Sequence, residues 1–361
     1  MEKIIRKIIN SIEKNGYEAY IVGGYVRDLI LGKHSYDIDI CTNALPKDLI
    51  SIFPNGNVGI YGAVSFKIGK YSFEITTYRQ EFSYKNRHPS KVEYVSNLLT
   101  DLKRRDFKIN TLCMNQKSNV IDLLGAMCDI ENREISCVGN PNNEIKDDPL
   151  RIMRAIRFAT VLDFELSQSL KDAIKKNNSL INSLSDERII SEMTKILIND
   201  NYKKGLDLMT DLGLLDVLGI SYDKIIKTSD INGMWAQLSF IKMPNFSKEN
   251  RQSIYRIREI VQSGAIDNNT LYDNGLYYCL VAGEILKIDK KKIYSIYKKL
   301  PIRSFKDVAV KPEKIINFLS LQNKEEIGKI FDELVNNILS GKIKNTTKNI
   351  YNYLNNIKKE W

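Results

Sequence analysis

Between Tyr20 and Asp39 the chain runs through Ile21-Val22-Gly23-Gly24-Tyr25-Val26-Arg27-Asp28 and then, after a short interval, Asp37-Ile38-Asp39. This order is restrictive: an apolar strand enters two glycines, a helix begins, and a second strand carries two carboxylates one residue apart. Residues i and i+2 of a strand share a face, so Asp37 and Asp39 converge, and the pair would repel unless cations lay between them. Glycines let backbone N–H groups approach a phosphate, and a helix starting near Val26 would aim its positive end at the same place. Arg27 adds a formal charge there.

Two later blocks carry the same kind of chemistry. Arg104-Arg105-Asp106 precedes the apolar Phe107-x-Ile109, read as a strand start, and Asp147-Asp148-Pro149-Leu150-Arg151 opens a helix that continues through Arg154 and Arg157 to Phe158. Asp148 and Arg151, at i and i+3, are neighbours on that helix. One aspartate before Pro149 serves as the helix cap, and the expectation is that Asp147 caps while Asp148 stays available.

Together these blocks resemble the class II tRNA nucleotidyltransferases, the CCA-adding enzymes, which share a polymerase-beta-like fold with bacterial poly(A) polymerases. A fourth block, Glu187-Arg188-Ile189-Ile190-Ser191-Glu192-Met193-Thr194-Lys195-Ile196-Leu197, resembles the helix that buttresses the family's nucleotide site. The matching motifs cover roughly residues 1–215. The chain departs from the usual pattern at Gly125, where the turn from Asp122 to Asp129 has one glycine rather than two. It departs again at Lys108, Thr111 and Asp147.

The resemblance implies template-independent addition of CCA to the 3′ end of tRNA from CTP and ATP, with release of pyrophosphate. It implies two Mg²⁺ ions at Asp37 and Asp39. Gly23, Gly24 and Arg27 would meet the phosphates, and Arg105 with Asp106 the ribose and phosphates. Asp148 and Arg151 would read the base, and Arg154 and Arg157 would complete the pocket. Cytosine and adenine both show a ring-nitrogen acceptor beside an amine donor, which suits an arginine next to an aspartate; uracil and guanine invert that pattern. Glu74, on a strand after the carboxylate strand, reads either as a third catalytic carboxylate or as an ordinary ion-pair partner. The polar segment Gln80–Leu99 matches a loop that helps such sites pass from C to A. A poly(A) polymerase, or an enzyme adding only CC or only A, fits the same motifs. An inactive RNA-binding module or an enzyme for small-molecule substrates fits them less well.

Periodicity predicts an α/β head, a mixed sheet with flanking helices, followed by an all-α region. Helices are expected at 2–15, 27–32, 46–53, 151–162, 166–175, 187–198 and 202–208. Strands are expected at 18–22, 36–40, 64–68, 71–76, 92–94 and 110–115. The expected division is a catalytic head (1–146), a nucleotide-reading neck (147–212), a helical body (213–280) and a basic tail (281–361). Residues 281–361 hold 17 Lys+Arg against nine Asp+Glu, whereas residues 1–200 are nearly balanced at 28 against 26. In that tail Lys287, Lys290, Lys291, Lys292, Lys298 and Lys299 alternate with Tyr294 and Tyr297, and Lys342, Lys344, Lys348, Lys358 and Lys359 follow. They read as a solvated helix face or as RNA phosphate contacts with stacking tyrosines.

The remaining features narrow the classes. Only two histidines occur, His34 and His88, both expected in loops, so a histidine-built zinc or phosphohydrolase site is ruled out. The five cysteines have no C-x-x-C spacing and read as buried thiols of a reducing compartment, the cytoplasm. No membrane-length apolar run occurs, the segment Met1–Lys7 reads as an amphipathic helix start rather than a secretory leader, and no obligate protein partner is expected.

Overall fold

Helix α1 (Lys3–Glu13) carries Ile5, Ile8, Ile9 and Ile12 on one stripe, and all four are buried. Strand β1 (Ala19–Val22), α2 (Gly24–Ile30), β2 (Asp37–Thr42), α3 (Pro46–Ile52), β3 (Asn57–Val58), β4 (Val64–Ile68) and β5 (Tyr71–Thr77) follow. A hairpin of β6 (Arg79–Lys85) and β7 (His88–Tyr94) comes next, then α4 (Leu98–Lys103), β8 (Cys113–Met114) and β9 (Val120–Ile121). In the computed structural model residues 2–85 and 88–360 are described, with backbone alone for 83–85, 88–90, 324, 359 and 360.

Seven strands form one mixed sheet in the order β3-β4-β5-β2-β1-β8-β9. Its β2–β5 pair is parallel, and its other pairs are antiparallel. Parallel neighbours need a crossover, which α3, β3 and β4 supply. On β2 the alternation leaves Ile38 and Ile40 buried, and on β5 Phe73 and Ile75, so the intervening polar residues lie on the opposite face.

The helical part of this unit comprises α5 (Ala126–Glu131), the short strand β10 (Glu134–Ile135), α6 (Pro141–Asp147), α7 (Leu150–Leu162), strand β11 (Glu165–Leu166), α8 (Gln168–Asn177), α9 (Asp186–Leu197), α10 (Tyr202–Asp211) and α11 (Leu214–Leu218). Gly205 of α10 is a point of close packing: a Cβ there would stand 2.5 Å from both Ile196 Cγ2 and Thr160 Oγ1.

Several expectations shift. The hairpin strands β6 and β7 occupy residues expected as a mostly strand-free segment, and His88 begins β7 rather than lying in a loop. Phe107 makes only an isolated bridge to Cys137, and Lys108–Asn110 is a 3-10 turn, so the strand expected at 110–115 shrinks to β8. The region after Asp148 is not wholly strand-free, since β10 pairs with β11 in a two-residue parallel ladder. Cys128 is exposed, while Cys41, Cys113, Cys137 and Cys279 are buried, and all five are free thiols.

The chain divides into two compact units at Gly219/Ile220. In the second, a two-residue ladder of β12 (Ile220–Ser221) with β13 (Ser239–Phe240) flanks α12 (Ile231–Ala236). Trp235 packs edge-on to Phe246 at 4.9 Å between ring centres. Helices α13 (Lys248–Ser263), α14 (Asn268–Leu286), α15 (Lys290–Lys299), α16 (Pro312–Leu319), α17 (Lys324–Leu339) and α18 (Thr347–Glu360) complete it. The expected borders at 146/147 and 280/281 fall within α6 and α14.

Candidate active site

Strand β1 delivers the chain to Gly23, whose φ of +80° and ψ of −129° suit only glycine. A Cβ there would stand 3.5 Å from the Asn110 carbonyl oxygen and 3.6 Å from Arg105 Nη1. Helix α2 begins at Gly24, ahead of the expected start at 27, and Arg27 on it is buried. The Arg27 side chain donates to Asp28 Oδ1 at 2.8 Å and to Asn110 Oδ1 at 2.6 Å, and lies 5.3 Å from the centre of the Phe158 ring.

Parallel register sets Glu74 of β5 directly beside Asp39 of β2, with Asp37 two residues away on the same face. Burial pushes the Asp39 carboxyl above the usual carboxylate range; Arg105 opposes the rise, and Glu74 and Asp37 add to it. Carboxylate oxygens suit a hard divalent cation, which would relieve this repulsion. Among the described residues no group of three or more His, Cys, Asp or Glu side chains forms a ready-made metal cage. The donor chemistry fits a metal, with the ligands near one another but not closed around a point.

The buried Asp101 organises the segment that follows. It accepts hydrogen bonds from Arg79 N at 3.2 Å, from Arg104 Nε at 2.9 Å and from Arg105 Nη2 at 3.3 Å. Burial works against the charge on Arg105, but its acidic neighbours, Asp101 foremost and then Cys41, Cys113 and Asp39, together outweigh it and hold the guanidinium protonated. Arg105 Nε is buried and has no hydrogen-bond partner. An orphaned donor costs about 1–3 kcal/mol, which a ligand oxygen would recover.

Asp106 turns to a different set of partners. Its carboxylate accepts from Phe107 N at 2.8 Å, Asn110 Nδ2 at 3.1 Å and Arg154 Nε at 2.7 Å. Burial alone would raise the Asp106 carboxyl, but Arg154 and these hydrogen bonds bring it below its ordinary value. Asn110 therefore joins Arg27 to Asp106, and Asp106 joins both to α7.

On α7 each arginine has a carboxylate partner. Arg151 pairs with Glu144, Arg154 with Asp106, and Arg157 with Glu192 at 2.5 Å. Glu192 also holds Lys195 at 2.9 Å, and these charges keep its carboxyl below the ordinary range although burial opposes them. The Phe158 ring lies 5.5 Å from Arg154 and 4.0 Å from Arg157, so with Arg27 three guanidiniums surround one aromatic ring. Asp148 has extended backbone, and its Oδ1 accepts from Leu150 N at 3.1 Å. This reverses the expected capping: Asp148, not Asp147, caps the start of α7.

The structure thus joins Arg27, Asp106 and Arg154 in one network, and Asp37, Asp39, Glu74 and Arg105 in one electrostatic neighbourhood. Four further residues, Asn110, Glu144, Phe158 and Glu192, take part without having been singled out as site residues by their sequence. Glu192 lay inside a recognised block, Phe158 at the end of another and Asn110 within the run from Arg104 to Leu112 that resembles the family's ribose-reading segment, but nothing local marked Glu144.

In the second unit, Lys290, Lys291, Lys292, Lys298 and Lys299 are exposed on α15 around the buried Ile293. Tyr294 is 43% exposed, and Arg303 lies 4.8 Å from the Tyr297 ring. Lys290 is tied to Glu284 at 2.6 Å, and Lys358 donates to the Phe318 carbonyl at 3.0 Å, so these two also have structural partners. The side chain of Lys359 lies outside the described residues. Among the described residues no helix is long and apolar enough to cross a membrane.

Residues 19–136 match the Poly A polymerase head domain, and residues 163–220 match a polymerase A family named for RNA and SrmB binding. The fold is that of a nucleotidyltransferase. Residues 225–354 match domain 2 of the tRNA nucleotidyltransferases. The CCA-adding enzyme of Ligilactobacillus salivarius is 33% identical, covering 94% of this chain and 92% of that one, and the Lactococcus lactis enzyme is 32% identical with the same coverage. The crystal structure of the Bacillus stearothermophilus CCA-adding enzyme in complex with CTP superposes with a TM-score of 0.86 at 25% identity, covering 100% of this chain and 99% of that one. The chain belongs to the CCA-adding enzyme family and is a tRNA nucleotidyltransferase.

Proposed function

We propose that this enzyme adds C, C and A in turn to the 3′ end of tRNA, using CTP and ATP and releasing pyrophosphate. The observation that carries the reading is the carboxylate face of Asp37, Asp39 and Glu74 beside Arg105, whose buried Nε lacks a partner. Its near full-length relatives named CCA-adding enzymes support the product.

Nucleotidyltransferases of this family typically use divalent metal. We assign Mg²⁺, held by Asp37 and Asp39. When bound there it would lower the pKa of the RNA 3′-hydroxyl and neutralise the departing pyrophosphate. Glu74 is assigned as the third catalytic carboxylate. Gly23, Gly24 and Arg27 border the phosphates; Arg105 and Asp106 hold ribose and phosphate, and Asp106 also fixes Arg154. Asp148 accepts from the exocyclic amine and Arg151 donates to the ring nitrogen. Arg154 and Arg157 complete the pocket, backed by Phe158. Uracil and guanine would set donor against donor in this pocket, at about 1–3 kcal/mol per desolvated mismatch.

Within this activity residues 1–146 serve catalysis, 147–212 nucleotide reading, 213–280 a helical body and 281–361 contact with tRNA. The segment Gln80–Leu99, which takes in most of the β6–β7 hairpin, is the element assigned to help the site pass from C to A. The cytoplasm is the proposed location, supported by five unpaired cysteines.

The test supplies tRNA lacking its 3′ CCA with Mg²⁺ and each nucleotide, singly and together. Stepwise extension by three residues is expected. Arrest after CC, addition of A alone, or a long A tract would replace the full-CCA reading with the corresponding enzyme.

A further inference from the structure

Arg151 is half of the proposed base-reading pair, yet its side chain is only 7% exposed and is engaged by groups outside its own helix. Its Nη1 donates to the Glu144 carboxylate, and its Nη2 lies 3.4 Å from the Arg104 carbonyl oxygen. Asp148 needs no such help, because its carboxylate is fixed two residues away at the start of α7. An arginine side chain has several freely turning bonds and loses considerable entropy when ordered, so its fork is accurate only if something holds its plane.

Glu144 sits on a well-anchored element. Asn140 caps α6 by accepting from Asn142 N and Asn143 N, Pro141 opens it, and Ile145 is buried beneath it. Asn142 is also tied to Asn177 of α8 at 3.1 Å. Room for the carboxylate comes from Gly139, where a Cβ would stand 3.2 Å from Glu144 Oε1 and φ is +84°. The second contact, to Arg104, adjoins the Arg105 that we assign to ribose and phosphate.

We infer that Glu144 is the positioning residue for base selection: it fixes the Arg151 guanidinium against the Arg104 carbonyl so that the remaining donors of the fork meet C or A. This rests on the base-reading assignment of Asp148 and Arg151. Loss of the carboxylate leaves Arg151 charged and present but free to swing, which should degrade discrimination more than turnover. Small misplacements of a recognition group cost up to about a hundredfold.

The experiment measures kcat and KM for CTP, ATP, UTP and GTP on one tRNA substrate with the full-length enzyme carrying Glu144→Ala, Glu144→Gln, Arg151→Ala or Glu144→Ala with Arg151→Ala. Glu144→Ala should narrow the advantage of CTP and ATP over UTP and GTP by between about 10-fold and 100-fold, mainly through KM. Glu144→Gln keeps an acceptor oxygen and should recover much of that advantage. In the Arg151→Ala background, removing Glu144 should cause no further loss. Unchanged selectivity in Glu144→Ala beside a clear loss in Arg151→Ala overturns this inference alone. A second, independent loss in the double variant also overturns it. Unchanged selectivity in Arg151→Ala overturns the base-reading assignment, and this inference with it.

Discussion

Positive charge is handled in opposite ways in the two units. Around α7, Arg27, Arg151 and Arg157 are largely buried and Arg154 is partly so, and each is matched to a named acceptor, Asp28 and Asn110, Glu144, Asp106 or Glu192. On α15 lysines stand exposed in solvent, with Lys290 tied to a carboxylate. A guanidinium held by a carboxylate keeps one orientation and can discriminate between ligands. An ammonium on a mobile stem attracts any polyanion. The first arrangement suits selection of a nucleotide, and the second suits affinity for RNA.

The comparison is sharpest at the carboxylates. Replacing Asp37 or Asp39 with Ala should reduce single-turnover extension by on the order of a thousandfold or more, with tRNA affinity changed less than about twofold. Near-normal extension by either variant would contradict the catalytic assignment.

A smaller effect is expected where an arginine loses its anchor. Asp106→Asn should lower kcat/KM for CTP by roughly 10- to 100-fold and destabilise the fold by about 2 kcal/mol, a figure reduced because Arg154 is partly exposed. The Asp106 carboxyl is held below its ordinary value, so its stabilisation is present above the unfolded-state pKa and is lost as pH falls through the folded one. Denaturant titrations across that acid range should therefore show a shallower pH dependence in Asp106→Asn; an identical slope would separate Asp106 from Arg154.

Neutralising the α15 cluster should act quite differently. With Lys290, Lys291, Lys292, Lys298 and Lys299 replaced by Gln, tRNA should bind about tenfold more weakly at physiological salt, and the salt slope should fall by roughly one for each phosphate no longer neutralised. Turnover at saturating tRNA should hold. An unchanged salt slope would return these lysines to the role of a solvated face.

The smallest effect reverses the usual sense of a lost charge. Burial raises the Asp39 carboxyl, so the fold is penalised as pH rises through that value and the group ionises. Asp39→Asn should therefore raise the melting temperature of metal-free protein at neutral pH while abolishing transfer. A lower melting temperature would show that the Arg105 attraction outweighs burial.

The elements that could be read from sequence were those with short periods. Ile5, Ile8, Ile9 and Ile12 mark α1, and Asp37-Ile38-Asp39-Ile40 shows its own two-sided alternation. The hairpin at 79–94 was obscured because polar residues such as Arg79, Gln80, Glu81, Lys91 and Glu93 interrupt any apolar period. Partnerships were hidden by distance along the chain: Arg27 meets Asn110, Asp106 meets Arg154, and Arg157 meets Glu192 only after the fold closes. Asp147 and Asp148 are equivalent in sequence before Pro149; α6 separates them by ending at Asp147 and leaving Asp148 extended.

The pairing of Asp39 with Glu74 also sets how this gene can tolerate changes in length. Side chains on a strand alternate, so one residue inserted between Asp37 and Asp39 would put the two carboxylates on opposite faces and send one toward Ile38's apolar layer. The turn between β3 and β4 is exposed at Gly59 and Ile60 and lies outside the strand pairing, so it carries no such parity. Viable insertions should accumulate there, while β2 and β5 retain a fixed reading of odd and even positions.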